Sequence, residues 1–381
     1  MGWRRSASLY RAKGSHGGRI FEIGEASGKP WESLIDFSVN LNPAGPPPGL
    51  IEFLRDNVEL SLVYPEPWNK SAIQEISDYH GLHPSHIAPG AGSTPLIYAI
   101  PRVINPQRAV IIAPAFAEYG QGLEASGYRY KLCCAAEEDD FLVTPKVVKQ
   151  ALSLKPDLIY VANPANPTGR VCPFESMLLL YQASEAKKGP YLVVDEAFVN
   201  FCQDRVYKAS SAYLYPKTIF LRSLTKIFCV PGLRLGYAVG HPKIIKSLTA
   251  LLGPWTISTL GQFAIKFLLP KHDYINKSAD ETAYLRELLQ KAIAPWRFFP
   301  SDANYVLMSL RGKGGEYLNE FKKFLLSNGI IVRDASNMPG LSLGYFRFAV
   351  RPKEDIIHLA KTLRAFRQLR GEPPGPAFDE G

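Results

Sequence analysis

Four short apolar runs, residues 109–113, 158–162, 191–194 and 218–221, limit what this chain can fold into. Each is rich in Val, Ile and Leu, too short for a helix, and followed by a polar or proline-containing turn. Helical periods fill the intervals, as at Tyr119 to Ser126 and Ser176 to Ala186. Strands that are apolar throughout are buried on both faces, and strands alternating with helices build a mostly parallel sheet covered on both sides. The expected fold class is therefore α/β. In such sheets ligands sit beyond the carboxyl ends of the strands. Here those ends carry Phe116, Asn166, Asp195 and Lys226, groups that packing alone does not call for.

Before the strands, residues 1–35 show little helical or strand period, Leu50 to Leu60 reads as a helix, and Ser71 to Tyr79 as another. After Val239 the pattern becomes α+β. Helices are expected at Pro242–Leu252, Gly261–Leu269, Tyr274–Ala294, Glu316–Asn328 and Glu354–Arg370, and strands at Asn304–Leu310, Ile330–Val332 and Tyr345–Val350. The expected organisation is an arm at 1–49 and a large sheet domain at 50–269. A small C-terminal domain at 270–370 and a Pro/Gly-rich mobile tail at 371–381 complete it. A chain of 381 residues is long enough for two such lobes.

The stretch from Arg222 to Tyr237 is the most informative chemically. Lys226 follows an apolar strand, Ser223 and Arg234 flank it, and Pro231-Gly232 turns the chain between them. An amine with a hydroxyl and a guanidinium nearby suits a carbonyl cofactor that carries a phosphate, and pyridoxal phosphate is that cofactor. Taken alone, the stretch is equally a strand followed by a basic turn. Gly90-Ala91-Gly92-Ser93-Thr94-Pro95 precedes an apolar helical run, so its free amides form an anion site or a simple cap. It has neither G-x-G-x-x-G nor G-K-[ST].

With that cofactor in mind each strand-end group has a task. Asp195 pairs with the pyridine nitrogen and keeps it protonated. Asn166 donates to the ring oxygen, and Phe116 stacks on the ring. Ala91, Gly92, Ser93, Ser223 and Arg234 hold the phosphate. In the arm, His16-Gly17-Gly18 lets backbone approach a ligand beside an imidazole, or is a surface turn. Tyr64, between prolines, projects from a stiff segment.

The net charge of +9 turns attention to acidic ligands, but the basic residues are scattered rather than blocked, so nucleic acid is not expected. The cysteines Cys133, Cys134, Cys172, Cys202 and Cys229 form no C-x-x-C pair and no metal-ligand spacing, so no metal is expected. Thiols of this kind, without an apolar run long enough to span a membrane, fit a cytoplasmic protein. Arg4-Arg5 lack a following apolar segment, and Met1 to Ser6 matches a short myristoylation pattern that carries little weight.

Phe116, Asn163-Pro-Ala-Asn-Pro-Thr-Gly169, Asp195-Glu-Ala-Phe198, Ser223-Leu-Thr-Lys226 and Pro231-Gly-Leu-Arg-Leu-Gly236 together resemble the fold type I, class I/II aminotransferases. The resemblance is strongest to the branch holding histidinol-phosphate aminotransferases and threonine-phosphate decarboxylases, and runs from about His16 to the closing helix. It implies a large sheet domain, a small domain from both chain ends, and a homodimer in which Tyr64 reaches the cofactor phosphate of the neighbouring subunit. It also implies that Lys226 holds pyridoxal phosphate and moves the proton. His16 and Gly17 meet the substrate phosphate, Asn40 and Asn166 line the substrate site, Arg347 grips a carboxylate and Arg333 a phosphate.

Two features resemble the decarboxylases: His16-Gly17-Gly18 ahead of Asp36 to Pro43, and Phe198 where the aminotransferases usually have tyrosine. The turn after Gly92 lacks the acidic residues often found there. The expected activity is decarboxylation of O-phospho-L-threonine to (R)-1-aminopropan-2-yl phosphate for cobalamin synthesis, with O-phospho-L-serine a variant substrate. A histidinol-phosphate-type aminotransferase is the alternative within the fold, and a catalytically silent regulator or scaffold the alternative outside it.

Overall fold

The computed structural model describes residues 16–202, 215–373 and 375. The Met1–Ser6 pattern lies outside them. In chain order the strands are β1 (Ile35–Asp36), β2 (Ile87–Ala91), β3 (Ala109–Ala113), β4 (Tyr130–Cys134), β5 (Leu158–Ala162), β6 (Tyr191–Asp195), β7 (Thr218–Ser223) and β8 (Leu235–Gly240). They are followed by β9 (Arg297–Phe298), β10 (Tyr305–Ser309), β11 (Ile330–Ile331), β12 (Arg333–Asp334) and β13 (Tyr345–Ala349).

The large sheet has seven strands in the order β2-β8-β7-β6-β5-β3-β4. Strands β4, β3, β5, β6 and β7 pair parallel, and β8 alone runs against its neighbours β7 and β2. Successive residues point to opposite faces of a strand, and here both faces are buried. Val110, Ile112, Ile159, Val161, Leu192 and Val194 enter one apolar cluster, while Ala109, Ile111, Leu158, Tyr160 and Val193 enter another. That double burial is why the runs carry no polar alternation.

The second sheet, β12-β13-β10-β9, is antiparallel and packs with helices His272–Ile293, Gly315–Ser327 and Lys353–Leu369 around a separate core that includes Phe321, Phe346 and Phe348. From the arm, β1 pairs with β11, joining the N-terminal region to this part of the chain.

Some elements differ from the sequence reading. The arm contains a helix, Ile20–Ser27, ended by Gly28 in the left-handed region (φ 68°). It buries only Gly24, and its apolar residues Ile20, Phe21 and Ile23 are too few to set a readable period. Strands β2, β4 and β8 were not apparent either. β2 holds Pro89-Gly90, and β4 lies at the sheet edge with Leu132 and Cys134 exposed. The final helix is followed by an anchored residue: Glu372 accepts hydrogen bonds from Trp296, Lys313 and Tyr317.

Candidate active site

Strand order brings the strand-end groups together. β7, β6, β5 and β3 are consecutive neighbours, so Lys226, Asp195, Asn166 and Phe116 follow adjacent strands spaced roughly 4.8 Å apart. Beyond that edge lies a cavity of about 340 Å³. Its walls include His16, Gly17, Asn40, Gly92, Ser93, Phe116, Asn166, Asp195, Phe198, Ser223, Lys226, Arg234, Arg333 and Arg347. Two expected residues are not in the wall. Ala91 is the last residue of β2, paired with Leu235, and lies behind the turn. Tyr64 is 83% exposed, its ring 6.0 Å from that of Trp255.

Lys226 sits on a single helical turn, Leu224–Ile227, directly after β7. Burial first, then the guanidiniums of Arg347 and Arg234, lower its pKa to about 8, against the opposing pull of Asp195. Among the described residues its amine has no hydrogen bond or ion pair. Asp195 is itself well held. The Tyr119 hydroxyl donates to one oxygen at 2.6 Å, and the Ala197 N–H to the other at 3.0 Å. Burial pushes the Asp195 carboxyl above its ordinary range, and those two bonds and Lys226 resist. A cation placed against such a group restores its charge.

Tyr119 was not singled out from the sequence. It is 1% exposed and stacked on Tyr160 at 5.1 Å. Its position three residues after Phe116, on the same helix face, was the available signal. The Phe116 ring meets Tyr119 edge-on at 5.9 Å.

The opposite corner is shaped for an anion. No side chain caps the start of helix Thr94–Ile104, which leaves its first amides open towards the cavity. Gly92 has φ +79°, and a Cβ there would lie 2.7 Å from the Arg234 guanidinium. Gly236 admits the same turn: its Cβ would lie 2.8 Å from the Ser93 nitrogen. Arg234 itself adopts a left-handed backbone (φ 53°), a conformation that costs on the order of 1–3 kcal/mol outside glycine. These groups, with Ser223, fit the phosphate of the cofactor anticipated above.

Facing them are two guanidiniums from adjacent strands, since Arg333 is in register with Arg347. Arg347 donates to Asn166 Oδ1 at 2.6 Å and to the Ser38 carbonyl at 2.8 Å, while its Nε has no partner. Burial lowers its pKa to about 10. Arg333 donates to Asn337 Oδ1 at 2.8 Å, and burial lowers its pKa also. Asn40 is 2% exposed, and both polar atoms of its amide lack a partner. A buried polar group left unpaired is costly, and a ligand would relieve it.

The arm closes this side. A Cβ on Gly17 would lie 2.4 Å from the Ser38 carbonyl oxygen, so only glycine allows the approach. His16 Nε2 lies 2.9 Å from Glu118, which also accepts from the Tyr98 hydroxyl at 2.8 Å. Burial works to raise the Glu118 pKa, but His16 and Tyr98 outweigh it and hold the carboxyl below its ordinary range. Among the described residues there is no His/Cys/Asp/Glu group that could hold a metal ion, and no helix long and apolar enough to cross a membrane.

This chain belongs to the aminotransferase class I and II family, whose description matches residues 32–363. Its fold is that of the fold type I pyridoxal-phosphate enzymes, and its cofactor is pyridoxal phosphate. It is 30% identical to the threonine-phosphate decarboxylase of Salmonella typhimurium, over 92% of this chain and 96% of that protein. It is 28% identical to the adenosylcobalamin biosynthesis bifunctional protein CobDQ of Leptospira interrogans, over 89% of this chain but only 39% of that longer protein. It is also 26% identical to the histidinol-phosphate aminotransferase of Methanocaldococcus jannaschii, over 90% of this chain and 91% of that protein. Among solved structures, histidinol-phosphate aminotransferase from Sinorhizobium meliloti, in complex with pyridoxal-5'-phosphate, superposes with a TM-score of 0.82 at 22% identity, covering 97% and 99% of the two chains.

Proposed function

We propose that this chain decarboxylates O-phospho-L-threonine to (R)-1-aminopropan-2-yl phosphate, a step of cobalamin synthesis in the cytoplasm. The observation that carries the reading is the pair of buried guanidiniums, Arg333 and Arg347, in register across β12 and β13 and lining the same cavity as Lys226. Neighbouring guanidiniums suit a small substrate with two anionic ends, because each fork matches a carboxylate or a phosphate. Arg347 grips the carboxylate and Arg333 the phosphate, with His16, Gly17 and Asn40 beside it.

Bound pyridoxal phosphate supplies an electron sink for the pair left at Cα when the carboxylate departs. The chain does the rest. Lys226 holds the cofactor and delivers the proton to Cα, and its lowered pKa lets it serve near neutral pH. Asp195 keeps the ring nitrogen protonated, Asn166 contacts the ring oxygen, and Phe116 and Phe198 pack against the ring. Gly92 and Ser93, with Ala91 behind them, hold the cofactor phosphate together with Ser223 and Arg234. Residues 50–269 form the cofactor-binding domain, and residues 270–370 with the arm form the smaller one.

A second copy of the chain completes the site. Leu62, Tyr64, Trp68 and Trp255 are exposed, with the Tyr64 and Trp255 rings 6.0 Å apart, and a partner subunit would cover them. Tyr64 reaches the cofactor phosphate of the neighbouring subunit.

The test is to incubate the purified holoenzyme with O-phospho-L-threonine and no keto acid, following CO2 and amine. Stoichiometric release of both is expected, with O-phospho-L-serine turned over more slowly by roughly tenfold or more for the missing methyl. Transamination of histidinol phosphate with 2-oxoglutarate, without CO2 from phosphothreonine, would replace this reading with the aminotransferase one, which the 26% identity to a histidinol-phosphate aminotransferase keeps as the second candidate. Absence of both reactions would leave the silent scaffold.

A further inference from the structure

The arm motif Asp36 to Pro43 contains a second asparagine, Asn42, that the substrate site does not use. It is 4% exposed, and its bonds converge on the turn that carries Lys226. That turn, Leu224–Ile227, is a single helical turn, too short to hold its shape unaided. The last carbonyls of any helix lack partners within it. Here the Leu224 and Thr225 carbonyls are satisfied locally, by the N–H groups of Phe228 and Val230.

The next two carbonyls are met by Asn42 from the arm, and the Ile227 carbonyl accepts a second bond from the Tyr274 hydroxyl at 3.2 Å. The Asn42 N–H donates to the Lys226 carbonyl at 3.1 Å, and Asn42 Nδ2 to the Ile227 carbonyl at 2.9 Å. The Cys229 thiol donates back to the Asn42 carbonyl at 3.2 Å. Asn42 is fixed in its turn. Its Nδ2 lies 2.8 Å from both Tyr274 Oη and Ser278 Oγ on helix His272–Ile293, and its Oδ1 accepts from the Ala44 N–H.

We propose that Asn42 is a positioning residue for Lys226: it clamps the backbone of the lysine turn, so that the amine enters the cavity at one place relative to Asp195 and the Gly92–Ser93 corner. The proposal rests on the reading of Lys226 as the residue that carries the cofactor. It gives the arm a further part in the site. Asn40, two residues earlier, lines the cavity while Asn42 sets the lysine, so one segment touches both the substrate side and the cofactor side.

The test separates capture from binding in the cofactor-free full-length protein. Pyridoxal phosphate condenses with the amine, with Nζ bonding to the aldehyde carbon and one water leaving, and absorbance reports the rate. Pyridoxamine phosphate offers the same ring and phosphate but no aldehyde, so its Kd reports the cradle alone. In Asn42→Ala and Asn42→Asp, capture is expected to slow by roughly tenfold to a hundredfold, the range for a misplaced reacting group, while the pyridoxamine phosphate Kd stays within about twofold. Capture at the wild-type rate overturns the proposal. So does a parallel loss of capture and analogue affinity, which marks a merely structural role. Should Asn42→Ala not fold, the nearly isosteric Asn42→Asp carries the measurement. Lys226→Ala is expected to lose capture entirely; if it does not, the reading of the lysine falls and this proposal with it, whereas a normal rate in the Asn42 variants alone removes only this proposal.

Discussion

On the sheet side of the cavity, polar groups stand at the ends of neighbouring strands, and Asp195 is partnered before any ligand arrives, by bonds from Tyr119 and Ala197. On the opposite side the groups come from distant parts of the chain. Arg347 reaches the Ser38 carbonyl across 309 residues and Asn166 across 181, and the amide of Asn40 and Nε of Arg347 are left without partners. The first arrangement is preorganised by the sheet ladder. The second exists only when the arm, the loop after β5 and the small antiparallel sheet are packed together. Cofactor binding should therefore tolerate changes on the far side, and substrate selection should be sensitive to them.

The largest separation between the two sides is expected for Arg347→Lys. Losing the fork over a charged ligand group removes about 2 kcal/mol, roughly thirtyfold in kcat/KM for phosphothreonine. The cofactor Kd should barely move, and a matching loss there would erase the distinction. Tyr119→Phe should do the reverse. Without its hydrogen bond to Asp195, cofactor affinity should fall by about 1.5 kcal/mol, close to tenfold, with little change in substrate KM; equilibrium dialysis and initial rates measure the two.

The smallest effect comes from pH. The Lys226 pKa is lowered from 10.5 to about 8 in the folded protein, so above pH 8 the unfolded chain binds more protons than the folded one and stability rises with pH. Relative to Lys226→Met, the cofactor-free protein should be less stable at and below pH 8. The gap should narrow by about 1 kcal/mol over the next pH unit. Denaturant titrations of both proteins across that range check it, and a constant gap would mean that the amine is not held in the desolvated site.

Much of the sheet side was legible in the sequence. Phe116, Asn166, Asp195 and Lys226 are read from apolar runs and the turns that end them, because a strand buried on both faces is conspicuous and its carboxyl end is where ligands gather. Strand β8 was harder to see. It runs antiparallel, next to a β2 interrupted by Pro89-Gly90, and its role is to bring Arg234 to Gly92. Tyr119 and Glu118 were hidden in an ordinary helix start, and Asn42 in a motif whose other members were easier to interpret.

By itself, the sequence determined the α/β class and, through its motifs taken together, the cofactor, and it put Phe116, Asn166, Asp195 and Lys226 at strand ends, since local patterns of burial and turn residues mark those ends. Tertiary structure alone decided the rest. It set Arg333 beside Arg347, gave His16 its carboxylate partner Glu118, left the Asn40 amide unpaired in the wall, and joined Asn42 to the lysine turn. Contacts between residues hundreds of positions apart leave no local periodicity, because what fixes them is the packing of whole elements rather than the preference of any one segment.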